Sequence, residues 1–232
     1  VNRNPFEQME VASVYEKWYE EAGRKAVAQE KSLLLKLLRE FPEAKSILEV
    51  GSGTGYFTRW LSEQGFWSIG VDNSEAMLSE ARKRGNEPYV LAEACGLPFE
   101  NESVDVVAFI TSLEFMDEII SALDEGIRVA RQGLLLGILN KSSHLGVWRK
   151  ALSMIKETPY ASARFFTLGE IKTVIEDLFA PEKPQITWES TLFPLINVNA
   201  KLPWGGFLGV AIRKPKKIRG GRNESSSYRC ST

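Results

Sequence analysis

The chain predicts an α/β domain with a mostly parallel, seven-stranded sheet covered by helices on both faces. Two observations carry this. Short, almost continuously apolar runs alternate with amphipathic stretches, which is the pattern of strands buried on both sides. One of those runs, Ser46-Ile47-Leu48-Glu49-Val50, leads straight into three alternating glycines and then a helix.

Taken in order, Val11, Val14, Tyr15, Trp18 and Ala22 recur at three- and four-residue spacing and predict an amphipathic helix, interrupted at Gly23. A second helix is expected over 26–39 with Leu33, Leu34, Leu37 and Leu38 inward, closed by Phe41, Pro42 and Glu43. Then come a strand over 46–50, a helix over 56–64, a strand over 67–71 ending at Asp72, and a helix over 74–84. A third strand is expected at 89–92, a fourth at 104–110, a helix at 117–131 and a fifth strand at 134–139. Past Asn140 the pattern loosens. Thr167-Leu168-Gly169-Glu170 is a capping box opening a helix to about Phe179. Strands six and seven are expected at 185–191 and 207–213.

Composition bounds the function. At 232 residues the chain suits one well-buried domain, with 44% hydrophobic and 25% charged residues. No apolar run of about 18 residues suggests a membrane span, and 1–10, with Arg3, Glu7 and Glu10, contains no apolar signal core. Cys95 and Cys230 are the only cysteines, no disulfide framework, and with one histidine they suggest no metal site. A cytoplasmic protein is expected, monomer or homodimer. The net charge of −1 hides an asymmetry: from Arg213 onward there are seven Lys or Arg and one acidic residue, leaving −7 on the remainder. An acidic body argues against DNA. The basic end predicts a solvated, disordered tail or, alternatively, an electrostatic arm for RNA or anionic lipid.

The turn Gly51-Ser52-Gly53-Thr54-Gly55 is the most specific feature. Glycines admit positive φ and let a ligand approach the backbone, and the following helix start suits an anion. A dinucleotide fingerprint would need its last glycine where Tyr56 stands, and no Lys follows the turn as a phosphate-cradling loop requires. Glu49 before the turn is awkward beside a pyrophosphate and comfortable beside a cation. It serves a cationic ligand, ties down turn amides, or does both. Asp72, at the end of the second strand, is placed to hold two ribose hydroxyls, or else to cap the next helix.

At these residues the sequence resembles the class I S-adenosylmethionine-dependent methyltransferases, over roughly 15–213. It is most similar to the small-molecule branch that includes ubiquinone and menaquinone biosynthesis enzymes. The motifs are Leu48-Glu49-Val50-Gly51-Ser52-Gly53-Thr54-Gly55, then Gly70-Val71-Asp72-Asn73-Ser74-Glu75-Ala76-Met77-Leu78, then the stretch from Ala92 to Val107.

The resemblance implies a Rossmann-like core over 45–213, a helical cap over 1–44, substrate-side insertions at 142–166 and 192–204, and a tail over 214–232. It implies S-adenosylmethionine as cofactor and S-adenosylhomocysteine as product. By position, Gly51, Ser52, Gly53 and Gly55 would wrap the methionine half and Glu49 would face its amino group. Asp72 would bind the ribose, Asn73 and Met77 would border the adenine, and Glu93 and Ala94 would meet its edge. Ile110 and Thr111 would floor the sulfonium. Many relatives have Asp at Glu93 and an acid at Cys95, so those contacts differ here.

Methyl transfer chiefly needs alignment and exclusion of water, with a general base only for poor nucleophiles. His144 is a candidate base or substrate contact, against a plain loop position. Tyr15 and Tyr19 are candidate lid residues, against helix packing. Trp148, Phe165, Phe166, Phe193 and Trp204 line an acceptor pocket or anchor the core. DNA amino-methylating relatives carry an Asn/Asp-Pro-Pro-Tyr/Phe motif after strand four; here it is Ile110-Thr111-Ser112-Leu113-Glu114-Phe115. The expected acceptor is therefore a small, apolar or aromatic molecule. A protein or RNA acceptor, and a non-catalytic nucleotide-binding protein of the same fold, are the alternatives.

Overall fold

A computed structural model describes residues 16–21, 23–143, 163–193 and 198–215, the side chains of Trp18 and Glu20 excepted. Tyr15, His144 and Trp148 lie outside the described residues, as do Val11, Val14, Ala22, Cys230 and most of the basic tail.

A helical turn α1 (Lys17–Glu20) precedes α2 (Arg24–Leu38). Then follow β1 (Ser46–Val50), α3 (Tyr56–Glu63), β2 (Trp67–Asp72), α4 (Glu75–Arg84) and β3 (Tyr89–Leu91). The chain continues through β4 (Val104–Ile110), a 3-10 turn at Leu113–Phe115, α5 (Ile119–Val129) and β5 (Ala130–Leu139). It ends with α6 (Leu168–Phe179), β6 (Gln185–Thr191) and β7 (Phe207–Arg213). The sheet order is β3-β2-β1-β4-β5-β7-β6. Only β7 runs antiparallel, against β5 on one side and β6 on the other. The carboxyl ends of β1 to β6 therefore share one edge.

Strand residues alternate between two core layers. On β4, Val107 and Phe109 face the layer shared with Ile119 and Leu123 of α5 and Ile171 and Ile175 of α6. Val106, Ala108 and Ile110 face the layer shared with Leu33, Leu34 and Leu37 of α2 and Phe57 and Leu61 of α3. This double burial is why the strands look continuously apolar in sequence. Thr167 caps α6 as expected: its hydroxyl accepts from the Glu170 amide at 3.1 Å, and Glu170 accepts from the Thr167 amide at 2.7 Å.

The expected boundary between α5 and β5 is corrected. The polar run Arg131-Gln132 belongs to the strand, not to a helix ending at Arg131, and β5 begins at Ala130. Long-range pairing decides this. The Lys214 amide donates to the Gln132 carbonyl at 2.8 Å, and Arg131 forms an ion pair with Asp105. Asp105 in turn accepts from the Lys45 and Ser46 amides at 2.9 and 3.0 Å, so it pins the starts of β1, β4 and β5 together.

The register shift between Val104 and Val106 accommodates the extra strand length, and Gly133 stands at that point opposite Arg213. A Cβ at Gly133 would lie 1.9 Å from the Ile212 carbonyl oxygen, closer than any side chain can come to backbone. Gly133→Ala is therefore expected to cost about 3 kcal/mol or more of stability, read as the free energy of urea unfolding. A loss below about 1 kcal/mol would show that β5 and β7 can separate without penalty.

Candidate cofactor and active site

The turn after β1 lies on the shared edge. Gly51, Gly53 and Gly55 all have left-handed backbone, with φ of 74°, 54° and 77°, which a side chain resists. The amides of Gly51 and Ser52 both donate to the Val71 carbonyl, at 2.8 and 2.9 Å, and that of Gly55 donates to the Ser52 carbonyl. The Gly53 amide donates to Asp72 Oδ2 at 2.8 Å, while Asp72 Oδ1 accepts from the Ser74 amide at 2.9 Å. The turn is thus satisfied mostly from within the protein. The glycines differ in what faces them. A Cβ at Gly51 would strike Ser112 Cβ at 2.5 Å, and one at Gly55 would strike the Tyr89 hydroxyl at 2.2 Å, whereas one at Gly53 would meet nothing within 4 Å. Gly53 marks the open side of the turn.

Glu49 is buried to 1% exposure. The Thr58 hydroxyl donates to it, tying the carboxyl to the first turn of α3. The turn amides of Gly51, Ser52, Gly53 and Gly55 find their acceptors at Val71, Asp72 and Ser52, so Glu49 stands behind the turn as a buried acid held by the helix and not by the turn amides. Burial pushes its carboxyl up to about 8, with the Thr58 hydrogen bond opposing and the charge of Asp72 adding. Burial likewise raises Asp72, although the Ser74, Gly53 and Asn73 amides oppose it. Two acids held above their ordinary range suit a ligand that brings positive charge.

Beyond Asp72, the Asn73 side-chain amide lies 3.3 to 3.4 Å from both Glu93 oxygens, so these two residues come together as one polar rim. Ala94 is partly buried beside them, and Met77 is buried at 2% on the first turn of α4, which Ser74 caps. Ser52 points elsewhere: its buried hydroxyl turns toward the face of Gly70, where a Cβ would lie 2.8 Å away, so only its backbone belongs to the turn. Ile110 is 2% exposed and packs in the α2 layer, one residue short of the edge.

Thr111 does reach the edge, with φ of 50°, a left-handed conformation that is costly for a β-branched residue. Its amide is held by the Gly137 carbonyl at 2.7 Å. Of the two readings of Phe165 and Phe166, acceptor pocket or core anchor, the second fits their burial at 8% and 2% exposure in the core. Among the described residues of the β6–β7 connection, Val198, Leu202 and Trp204 are exposed apolar side chains. Asn140 at the end of β5 is fully buried and donates to the carbonyls of Pro203 and Gly205 at 2.8 and 2.7 Å, fastening that connection.

Sequence reasoning missed Asn140, Tyr89, Arg59 and Glu16. Each acts through partners distant in the chain, and no local pattern marks them.

The sheet order and the helices on both faces are the Rossmann-like fold of S-adenosylmethionine-dependent methyltransferases. More particularly, residues 48–137, from β1 through β5, match the methyltransferase domain family. The chain is 27% identical over 159 residues to malonyl-[acyl-carrier protein] O-methyltransferase of Hamiltonella defensa subsp. Acyrthosiphon pisum, covering 64% of this chain and 59% of that one. It is 36% identical over 87 residues to demethylmenaquinone methyltransferase of Mycobacterium sp. (strain KMS), covering 38% and 37%. The matched stretches thus span less than two thirds of these curated relatives. A solved structure from Thermotoga maritima, described as a SAM-dependent methyltransferase and "possible histamine N-methyltransferase", superposes with TM-score 0.74 at 29% identity. That superposition covers 89% of this chain and 97% of that one.

The residues present fit the cofactor of this class. The open face of Gly53 gives backbone access, and Glu49 and Asp72 are acids whose charged forms a cationic adenosyl ligand would favour. Among the described residues no group of three or more His, Cys, Asp or Glu is placed to hold a metal ion. No described helix is long and apolar enough to cross a membrane.

Two expectations follow. In the ligand-free protein Glu49 binds its proton more tightly folded than unfolded, so the native state holds more protons between about 4.5 and about 8. Stability therefore falls as pH rises through that window, by up to a few kcal/mol. Glu49→Gln is expected to flatten this slope in urea unfolding curves; an unaltered slope would assign it to other groups. Thr111→Gly should relieve the left-handed strain and raise stability by about 1 kcal/mol. A lowered unfolding midpoint would show that the Thr111 side chain, not its backbone, dominates there.

Proposed function

We propose that the protein transfers a methyl group from S-adenosylmethionine to a small, largely apolar or aromatic acceptor. The observation that carries this reading is the convergence of Glu49, the open Gly53 turn and Asp72 on one sheet edge. When bound, S-adenosylmethionine supplies a methyl group already activated by positive sulfur. The protein is then left to bind, align and exclude water.

Asp72 would hold the ribose hydroxyls and Asn73 with Glu93 the adenine side. The turn from Gly51 to Gly55 would hold the methionine half. Glu49, already buried behind the turn, gains stability in its ionised form when a cation arrives. Thr111, forced to the edge, would face the transferring group. Tyr15 and His144 are candidates for the acceptor side from their sequence positions.

The relatives' names differ in the accepting group, so the acceptor class is argued from this chain. Val198, Leu202 and Trp204 offer exposed apolar surface on the β6–β7 connection, which supports an uncharged or aromatic acceptor.

Calorimetric titration tests the reading. The protein should bind S-adenosylmethionine and S-adenosylhomocysteine and ignore a nicotinamide dinucleotide; the reverse result would sink it. Asp72→Asn should weaken adenosyl-ligand binding by about 1–3 kcal/mol. The asparagine keeps only one acceptor oxygen for the two amides of Gly53 and Ser74 and loses the charge. An unchanged dissociation constant in the folded variant would place the ribose elsewhere. A radiolabelled methyl screen across small amines, phenols and quinones, with protein and RNA as separate arms, identifies the acceptor class.

A further inference from the structure

Glu16, just ahead of α1, carries a carboxylate buried to 3% exposure. Its oxygens meet donors from three places. The Thr54 hydroxyl donates to Oε1 at 2.6 Å, Arg59 Nη2 donates to both oxygens at 2.8 Å, and Arg84 Nη1 stands 3.4 Å from Oε2. Arg59 Nη1 also donates to the Thr54 carbonyl at 2.8 Å. One carboxylate and one guanidinium therefore hold Thr54, itself 1% exposed, by its hydroxyl and by its carbonyl.

Thr54 stands between Gly53, whose amide holds Asp72, and Gly55, which opens α3. Three residues after Glu16, Tyr19 stacks on Tyr56 with ring centroids 4.5 Å apart and an interplanar angle of 13°, and meets Phe57 edge-on at 6.1 Å. The segment thus grips both the middle of the turn and the helix that leaves it. A buried carboxylate persists only where charge and hydrogen bonds compensate its lost hydration. Here the compensating groups belong to the turn and its flanking helices.

We propose that Glu16 is a positioning residue that couples the seating of the N-terminal segment to the shape of the cofactor turn. With Glu16 seated, Thr54 is fixed and the Gly53 amide stays on Asp72. With Glu16 removed, Thr54 and Arg59 lose their common partner and the turn gains freedom that a ligand must then remove. The inference rests on the reading of this edge as an S-adenosylmethionine site. Coupling between two sites is reciprocal, so a ligand that holds the turn also holds the segment.

The test uses the full chain. Wild type and Glu16→Ala are titrated with S-adenosylhomocysteine, and tryptic cleavage after the exposed Lys17 is followed with and without saturating ligand. Wild type should bind, and the ligand should slow cleavage at Lys17. Glu16→Ala should bind about ten-fold more weakly, within the usual range of coupling between sites, and saturating ligand should no longer slow that cleavage. Glu16→Gln keeps an acceptor oxygen for Thr54 and loses the charge facing Arg59. It should shift both readouts in the same direction by less, and it serves if the alanine variant does not fold. Unchanged affinity overturns the coupling. So does full ligand protection of Lys17 in variants whose unfolding midpoint has fallen, since that is the signature of a plain fold anchor. Failure of the wild type to bind S-adenosylhomocysteine overturns the site reading itself, and this inference with it.

Discussion

Between Val50 and Tyr56 the backbone crosses the sheet edge in left-handed steps, where no helix or strand ladder can absorb its amides. Buried amides must nonetheless find acceptors. The Val71 carbonyl takes two of them and the Asp72 carboxylate a third, so the turn after β1 takes its shape from the end of β2. That requirement explains the parallel register of β1 on β2, with Val50 opposite Val71. It also explains why Tyr89, on β3, fills the space beneath Gly55 and Gly70. The carboxylate suited to bind a ribose is the same group that keeps the turn in place, so structure and ligand compete for, or share, its oxygens.

Electrostatics adds a second consequence. Glu49 is enclosed, only Thr58 and the charge of Arg59 offset its lost hydration, and the charge of neighbouring Asp72 raises its carboxyl further, to about 8. Such an arrangement does not favour the ligand-free fold. It becomes favourable when positive charge enters, which is how a binding site can be less stable than its surroundings and still be retained. Thr111 shows the same trade on the facing strand, where a left-handed threonine is held by the Gly137 carbonyl. The rest of the molecule compensates with a sheet buried on both faces and the Asp105 cluster that pins three strand starts.

Local signals in the chain were accurate wherever one residue's neighbours decide its fate. The apolar runs of β1, β2, β4 and β7, the Thr167 capping box and the leucine face of α2 were legible, because each depends on period and burial over a few residues. The glycine turn with Glu49 and Asp72 was legible too, since spacing alone separates it from a dinucleotide fingerprint. The start of β5 was not: Arg131 and Gln132 look helical until Asp105 and Lys214 claim them from across the sheet.

The sequence by itself thus determined the architecture, the glycine turn and the placing of two acids beside it, because hydrophobic period and glycine spacing are properties of adjacent residues. Only the tertiary structure decided how those residues are used. It turned the Ser52 hydroxyl inward, withdrew Ile110 into the core, buried Phe165 and Phe166, and brought Glu16 onto Thr54 and Arg59. The reason is the same in each case. A charge or hydroxyl is satisfied by whatever partner the fold delivers, and partners 38 or 43 residues away leave no trace in local pattern.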